Sequence, residues 1–523
     1  MVKIKLSALA CAILVGGGQQ LVAEDLNIFI DLEHYDPIYV NKETKIITGA
    51  SINVNNNEEL IYMDSLFFHR TGINITNNSN ATFENEVIIV NPNFHINDST
   101  AVFNEKLEIA ADSDFTQPVI EKDNDFSGGN LSLDNSTLDI KEEARFGGAN
   151  VLINHGSTAT IDNLANYASK IYVVNDSNLE INNKANFVRT HLIVKDNSNI
   201  IINGALEAEN GAIVDDEIVL FDDGGIEIDK SDLNVEGEAG FYNYDIELNN
   251  SSNATFKDKL TLIADSAMLL KNSSTLNVGG EANFNNSVVE LNNNSTATFE
   301  NEVIIQNPNF HINNSTAIFN EKLEIQDGGG FWPVIEQDND FSGGSLSLNN
   351  STLDIKKEAV FYATDALINH GSTATIDNFR DYVSEIYVVN DSKLEINKNA
   401  EFAGTHLIVK DDSNTTINGA LTVKSSNTIE NGEYVVNYGG IKIDKSNLNV
   451  GGVAYFEDSA LVVQNGSKVL FGNNFTMKNE ENGDEKSIII LDNGSEINIK
   501  GGANTFPAGH QTRSGLPVWK RWA

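Results

Sequence analysis

The chain has 523 residues, 40% of them apolar, and its 75 acidic against 34 basic side chains give a formal net charge of −41. So negative a chain is excluded as a direct partner of nucleic acid or anionic lipid, which would repel it. Ile, Val, Leu and Phe are spread evenly, which excludes a disordered acidic polymer and implies a folded core.

In chain order, Lys3 and Lys5 come first. Leu6 to Val15 is then an apolar run broken only by Ser7 and Cys11, and Leu21-Val22-Ala23 precedes Glu24. This is the layout of a secretory signal peptide over residues 1–23. The run is shorter than the ~20 apolar residues of a membrane-spanning helix. Ala8-Leu9-Ala10-Cys11 also admits a lipoprotein signal. Cys11 is the sole cysteine, so the mature chain holds none and is stabilised without disulfides. Residues 24–70 are irregular and read as an N-terminal cap.

Two nested repeats follow. Ala81-Thr82-Phe83-Glu84-Asn85-Glu86-Val87-Ile88-Ile89 returns as Ala297-Thr298-Phe299-Glu300-Asn301-Glu302-Val303-Ile304-Ile305, an offset of 216. Asn154-His155-Gly156-Ser157 returns at Asn369 to Ser372, where the offset is 215. The matched stretches run from about 75 to 262 and from about 291 to 477, a tandem duplication. Inside it lies a shorter period. Asn135-Ser136-Thr137-Leu138-Asp139-Ile140 and Asp391-Ser392-Lys393-Leu394-Glu395-Ile396 are typical units, and their serines recur every 20 to 22 residues. Steps of 36 or 37, and one of 33, occur once per copy and predict longer loops, the best being 112–130 with 327–345 and 208–225 with 423–440.

A period of about 21 fits one coil of a parallel β-helix. Leu138 and Ile140 flank Asp139 in the two-residue alternation of a strand. Ala144 with Phe146, and Val151 to Ile153, supply a second and a third strand before the next Ser turn. Asn, Asp, Gly and Ser fill the turns, where positive φ or side-chain bonds to the backbone are needed. The expected fold is an all-β, right-handed parallel β-helix over 71–504, the hand following the rule for parallel crossovers. Stability then sums over neighbouring coils. Residues 505–523 form an atypical tail with two of the three Trp, basic in an acidic chain; it reads as a frameshifted or artificial junction, or as a sorting segment.

The signal peptide, the cysteine-free mature chain, the Asn-Ser-x-Leu-x-Ile units and turns such as Gly279-Gly280-Glu281-Ala282-Asn283-Phe284 together resemble the passenger domain of an autotransporter (type V secretion). The resemblance implies a secreted or cell-surface protein of the bacterial outer membrane, non-enzymatic, an adhesin or surface interaction protein. It also implies a host-cell or surface protein or glycan as partner. Such proteins carry a β-barrel translocator, for which the residues after about 500 leave no room, so the translocator is expected in a longer or separate chain.

No catalytic, cofactor-binding or metal site emerges. A carbohydrate-active lyase or hydrolase would need paired carboxylates with a nearby base. The best acidic group, Asp215-Asp216-Glu217 with Asp222 and Asp223, aligns with Glu430-Asn431-Gly432, Asn437 and Tyr438, so the second copy loses it. Arg145 aligns with Val360 and Arg189 with Gly404. His95, His155 and His191 recur as His311, His370 and His406, but at spacings that place them on different coils. Asp123-Asn124-Asp125 before Gly128-Gly129, repeated as Asp338-Asn339-Asp340 before Gly343-Gly344, reads as a tight turn rather than a calcium site. The Asn-x-Ser/Thr sequons read as turns. A fragment of a disrupted autotransporter gene is the third reading of the chain.

Overall fold

The computed structural model describes all residues except 1–37, 41–44, 49–50, 63–64, 71, 112–118, 122–124, 128–129, 215–216, 221–223, 308, 327–333, 336–340, 343–345, 431–432, 438, 480–486, 493 and 507–523. The signal peptide and the tail therefore lie outside the described residues. The described chain is all-β. Parallel strands wind into a β-solenoid of about 17 turns with about 21 residues per coil. It divides into two units, Met1–Asp258 and Lys259–Ala523.

Most coils have three strands, as the alternation predicts, while Thr137–Gly147, Thr158–Tyr167, Thr352–Tyr362 and Thr373–Tyr382 each join the first and second strands of a coil into one. In the first unit the coil after Ser99 runs through Thr100–Phe103, Leu107–Ala110 and Leu131–Asp134. Its inward residues Ala101, Phe103, Leu107, Ile109, Leu131 and Leu133 are fully buried. Equivalent residues stand opposite one another on successive coils: Ala101 pairs with Ala81 behind and Leu138 ahead. Phe83 and Phe103 stack with ring centroids 4.6 Å apart, and in the second unit Phe299 and Phe319 do the same at 4.9 Å. Burying six such side chains contributes on the order of 10 kcal/mol per coil, realised only when both neighbours are present. Pairing begins inside the 24–70 segment: Ile38–Val40 pairs with Glu59–Tyr62, and Lys45–Thr48 with Leu66–His69. Parallel rung pairing thus starts earlier than residue 71.

The marker serines form a ladder of their own. Ser79, Ser99, Ser136, Ser157, Ser177, Ser198, Ser231 and Ser252 are all buried in the first unit. The backbone N–H of Ser79 donates to Ser99 Oγ at 3.1 Å, that of Ser99 to Ser136 Oγ at 3.2 Å, and that of Ser136 to Ser157 Oγ at 3.0 Å. In the second unit Ser295, Ser315, Ser351 and Ser372 repeat the pattern at 3.0–3.2 Å. The residues before each Ser adopt the left-handed conformation, as Asn77 (φ 58°), Asn78 (φ 60°), Asn175 (φ 55°) and Asp176 (φ 60°) do. Asn and Asp tolerate that conformation best among residues with a side chain, which explains their density there. Amides also stack from coil to coil: Asn74 Nδ2 donates to Asn53 Oδ1 at 2.7 Å, and Asn175 Nδ2 to Asn154 Oδ1 at 2.8 Å.

The turn between first and second strands is closed differently. At Gly204 a Cβ would lie 1.7 Å from the carbonyl oxygen of Asn183 on the preceding coil, and at Gly419 one would lie 2.2 Å from that of Lys398. Only glycine lets those turns approach so closely.

Ser136→Ala is expected to cost about 1–3 kcal/mol, because it leaves the buried N–H of Ser99 without its acceptor. A denaturant titration of the full chain reads this as a lower midpoint at unchanged slope. An unaltered midpoint would mean that the ladder contributes nothing.

Candidate interaction face between paired insertions

The wide serine steps are insertions, and all four leave the coil at the turn between second and third strands. Their described parts are antiparallel strand pairs: Val119–Glu121 with Asp125–Ser127, Gly211–Val214 with Glu217–Leu220, Val334–Ile335 with Phe341–Ser342, and Ser426–Glu430 with Glu433–Asn437. Each unit carries two of them, and they bracket the same three coils.

On those coils the outward face of the third strand changes character. In the first unit one outward column reads Asn74, His95, Ser132, Leu152, Tyr172, Ile193, Glu227, Glu247. The three apolar members are those between the insertions. Leu152 is 3% exposed and Tyr172 8%, with Val174 and Ile193 packed against them. The strand Asn150–Asn154 is consequently buried at all five positions, although only alternate residues face the core. The backbone of Asp125–Ser127, from the first insertion, passes within 8 Å of this strand. The second unit repeats the arrangement with Leu367, Tyr387, Val389 and Ile408. Burial raises the pKa of the Tyr387 phenol, and its bond to Glu385 Oε2 (2.6 Å) raises it further.

The histidines sit at the border of this strip or beside it, on separate strands as their spacing predicts. His95 Nδ1 bonds Ser132 Oγ, and His311 Nδ1 bonds Ser347 Oγ at 2.5 Å. Burial lowers the pKa of both imidazoles, which keeps them neutral. His155 Nδ1 instead pairs with Asp134 Oδ1 at 2.8 Å. Among the described residues no three His, Cys, Asp or Glu side chains gather as a metal would require. Asp215, Asp216, Asp222 and Asp223 lie outside the described residues, as do Asp123, Asn124, Gly128 and Gly129, and Phe331 with Trp332. Arg145 pairs with Glu143 at 2.8 Å in the second strand of its own coil.

The two copies differ at buried polar positions. Asn150 and Asn166 of the first unit become Asp365 and Asp381 in the second. Asp381 is completely buried. Ser384 Oγ donates to its Oδ1 at 2.5 Å, while Oδ2 has no hydrogen-bond partner among the described residues. Burial pushes its carboxyl up to about 7, Asp365 adds to the rise, and the bonds from Ser384 and Thr405 oppose it. Neither this pair nor the His–Ser contacts were read from the sequence. The serine partners of the histidines lie one coil away, 36 or 37 residues on, and only the rung register brings them together.

A carboxyl whose folded pKa lies above its unfolded value binds its proton more tightly when folded. Its contribution is therefore full below the unfolded value near 4 and is lost as pH rises through about 7. Asp381→Asn, which installs the amide of the first copy, is expected to stabilise the second unit by a few kcal/mol above pH 8 and to leave it nearly unchanged below pH 4. Denaturant titrations at the two pH values check this; equal effects at both would remove the buried charge as the cause.

Compared with family models, curated proteins and solved structures, the chain finds no significant match in any of the three.

Proposed function

We propose that this chain is a secreted or cell-surface β-solenoid that works by binding, an adhesin or surface interaction protein of the autotransporter-passenger kind. One observation carries the reading: in each copy two insertions bracket three coils, and on those coils outward residues of the third strand gather into an apolar cluster. Paired insertions held at fixed positions on regular coils offer segments through which a chain can recognise another surface. The signal-peptide layout of residues 1–23 and the absence of cysteine after Cys11 support export. Export to the surface then requires an outer-membrane translocator, in a longer or a separate chain. The partner is a protein or glycan of a host cell or other surface, bound through two such faces per chain.

The test compares the purified chain from residue 24 with a variant in which 112–129 and 328–344 are each replaced by Asn-Gly. Coils without an insertion close with 21 residues, as between Ser136 and Ser157, so the variant keeps the ladder intact. Flow cytometry on epithelial cells is expected to show saturable binding by the parent chain and at least tenfold weaker binding by the variant. Equal binding by both would discard these faces, and no saturable binding by the parent would discard the adhesin reading. Release of new reducing ends from added polysaccharide would favour a carbohydrate-active enzyme instead.

A further inference from the structure

The bracketed coils carry a second outward column, on the other side of the turn from which the insertions leave. It consists of the last residues of the second strands. In the second unit it reads Gln326, Tyr362, Tyr382, Ala403, Lys424, so it starts and ends on the residues that precede the two insertions. In the first unit the same column reads Ala110, Gly147, Tyr167, Val188, Glu209. Tyr167 is 54% exposed and Tyr362 40%, and they are the only tyrosines among the exposed large side chains of the described residues. Tyr167 and Tyr382 are equivalent under the duplication. An aromatic ring left in water costs hydrophobic free energy, and each copy leaves one in this column, Tyr167 in the first and Tyr362, one rung earlier, in the second.

In the second unit the surroundings are more developed. The Tyr362 and Tyr382 rings stack with centroids 5.1 Å apart and planes 10° from parallel. This fixes the Tyr382 ring across the rungs. On the next rung stands Ala403, and on the one after it Lys424. With rungs ~4.8 Å apart, the side chains of Tyr382 and Lys424 flank a slot of about 10 Å over the Ala403 methyl. That width holds one saturated six-membered ring at van der Waals distance from both walls.

Polar groups line the same face two residues earlier in each strand: Arg380, then Glu401, then Thr422. Arg380 is held planar by a two-pronged bond to Glu358, Nε to Oε1 at 2.9 Å and Nη2 to Oε2 at 2.7 Å. Two cations, Arg380 and Lys424, balance two anions, Glu358 and Glu401. In a chain of net charge −41 this patch is locally neutral, and so complements an uncharged ligand rather than a polycation.

An aromatic face of negative quadrupole attracts the weakly positive C–H groups of a sugar ring. Fixed donors and acceptors beside it suit the equatorial hydroxyls. We propose that Tyr382, backed by Tyr362 and flanked by Arg380, Glu401 and Lys424, is a binding subsite for a neutral pyranose of a glycan, and that Tyr167 is its simpler counterpart. This rests on the surface-binding reading above and names the partner's chemistry.

Saturation-transfer NMR on the full chain, with maltohexaose, cellohexaose and N-acetyllactosamine as probes at physiological salt, tests it. Transfer to the ring C–H protons of at least one probe is expected. Tyr382→Ala should weaken that probe at least tenfold, while Tyr382→Phe, which keeps the ring and reports on folding, should stay within about threefold. No transfer from any probe overturns the assignment, as does equal binding by Tyr382→Ala. Cell binding that survives in Tyr382→Ala overturns the subsite and leaves the adhesin reading standing. Cell binding lost in Tyr382→Ala with no transfer to any sugar indicates a protein partner and overturns the glycan class.

Discussion

Everything in this molecule depends on a register condition: residue for residue, each coil must present to the next the groups that the next leaves unpaired. A single coil leaves its strand backbones and its turn N–H groups open on both edges, and none can be satisfied within the coil. The strands solve this with parallel pairing. The tightest turn solves it with serine, whose Oγ accepts the N–H of the preceding marker serine. Because this hydroxyl is buried, the alternative to the bond is an unsatisfied polar group rather than a hydrated one.

That condition also decides where the chain can vary. At the serine turn, the ladder and the left-handed Asn and Asp residues leave no freedom. At the turn between first and second strands, the Gly204 and Gly419 positions are already in contact with the coil behind. The turn between second and third strands is the remaining exit, and all four insertions use it. The ladder passes over them undisturbed: Ser99 bonds Ser136 across a step of 37 and Ser198 bonds Ser231 across one of 33. Insertions of 12 to 16 residues beyond a 21-residue coil are thus accommodated at the cost of loop closure alone.

The same logic separates what was legible in the sequence from what was not. Period, strand alternation and turn chemistry are local, so Leu138, Ile140, Ala144 and Phe146 could be placed on the core face from spacing alone. The coil before residue 71 was missed because Ile38–Val40 and Lys45–Thr48 lack the serine that marks later coils. Burial of Leu152 and Tyr172 was invisible for a different reason: they occupy outward positions by alternation, and what covers them is distant in sequence. The contact of His95 with Ser132 needs the width of the insertion before the rung partners can be counted. Sequence pattern reports each coil well, and neighbouring coils only where the step between them is regular.

Comparison of the two copies gives the strongest reason to look for function on the bracketed coils. A duplication starts with identical copies, so later differences show where the fold tolerates or rewards change. The buried columns are alike: Phe83 and Phe103 stack in the core as Phe299 and Phe319 do, and on the outward side Leu152 with Tyr172 matches Leu367 with Tyr387. The edge of the second strand is not. Gly147 stands against Tyr362, Val188 against Ala403 and Glu209 against Lys424. Where the first copy has a bare position, a β-branched side chain and an anion, the second has a ring that stacks on its neighbour, a methyl and a cation. None of these changes improves core packing, since all three side chains point away from it. The joint effect is to build a wall, clear a slot and set a cation at its far side, which is the kind of change that a ligand, rather than the solenoid, would reward.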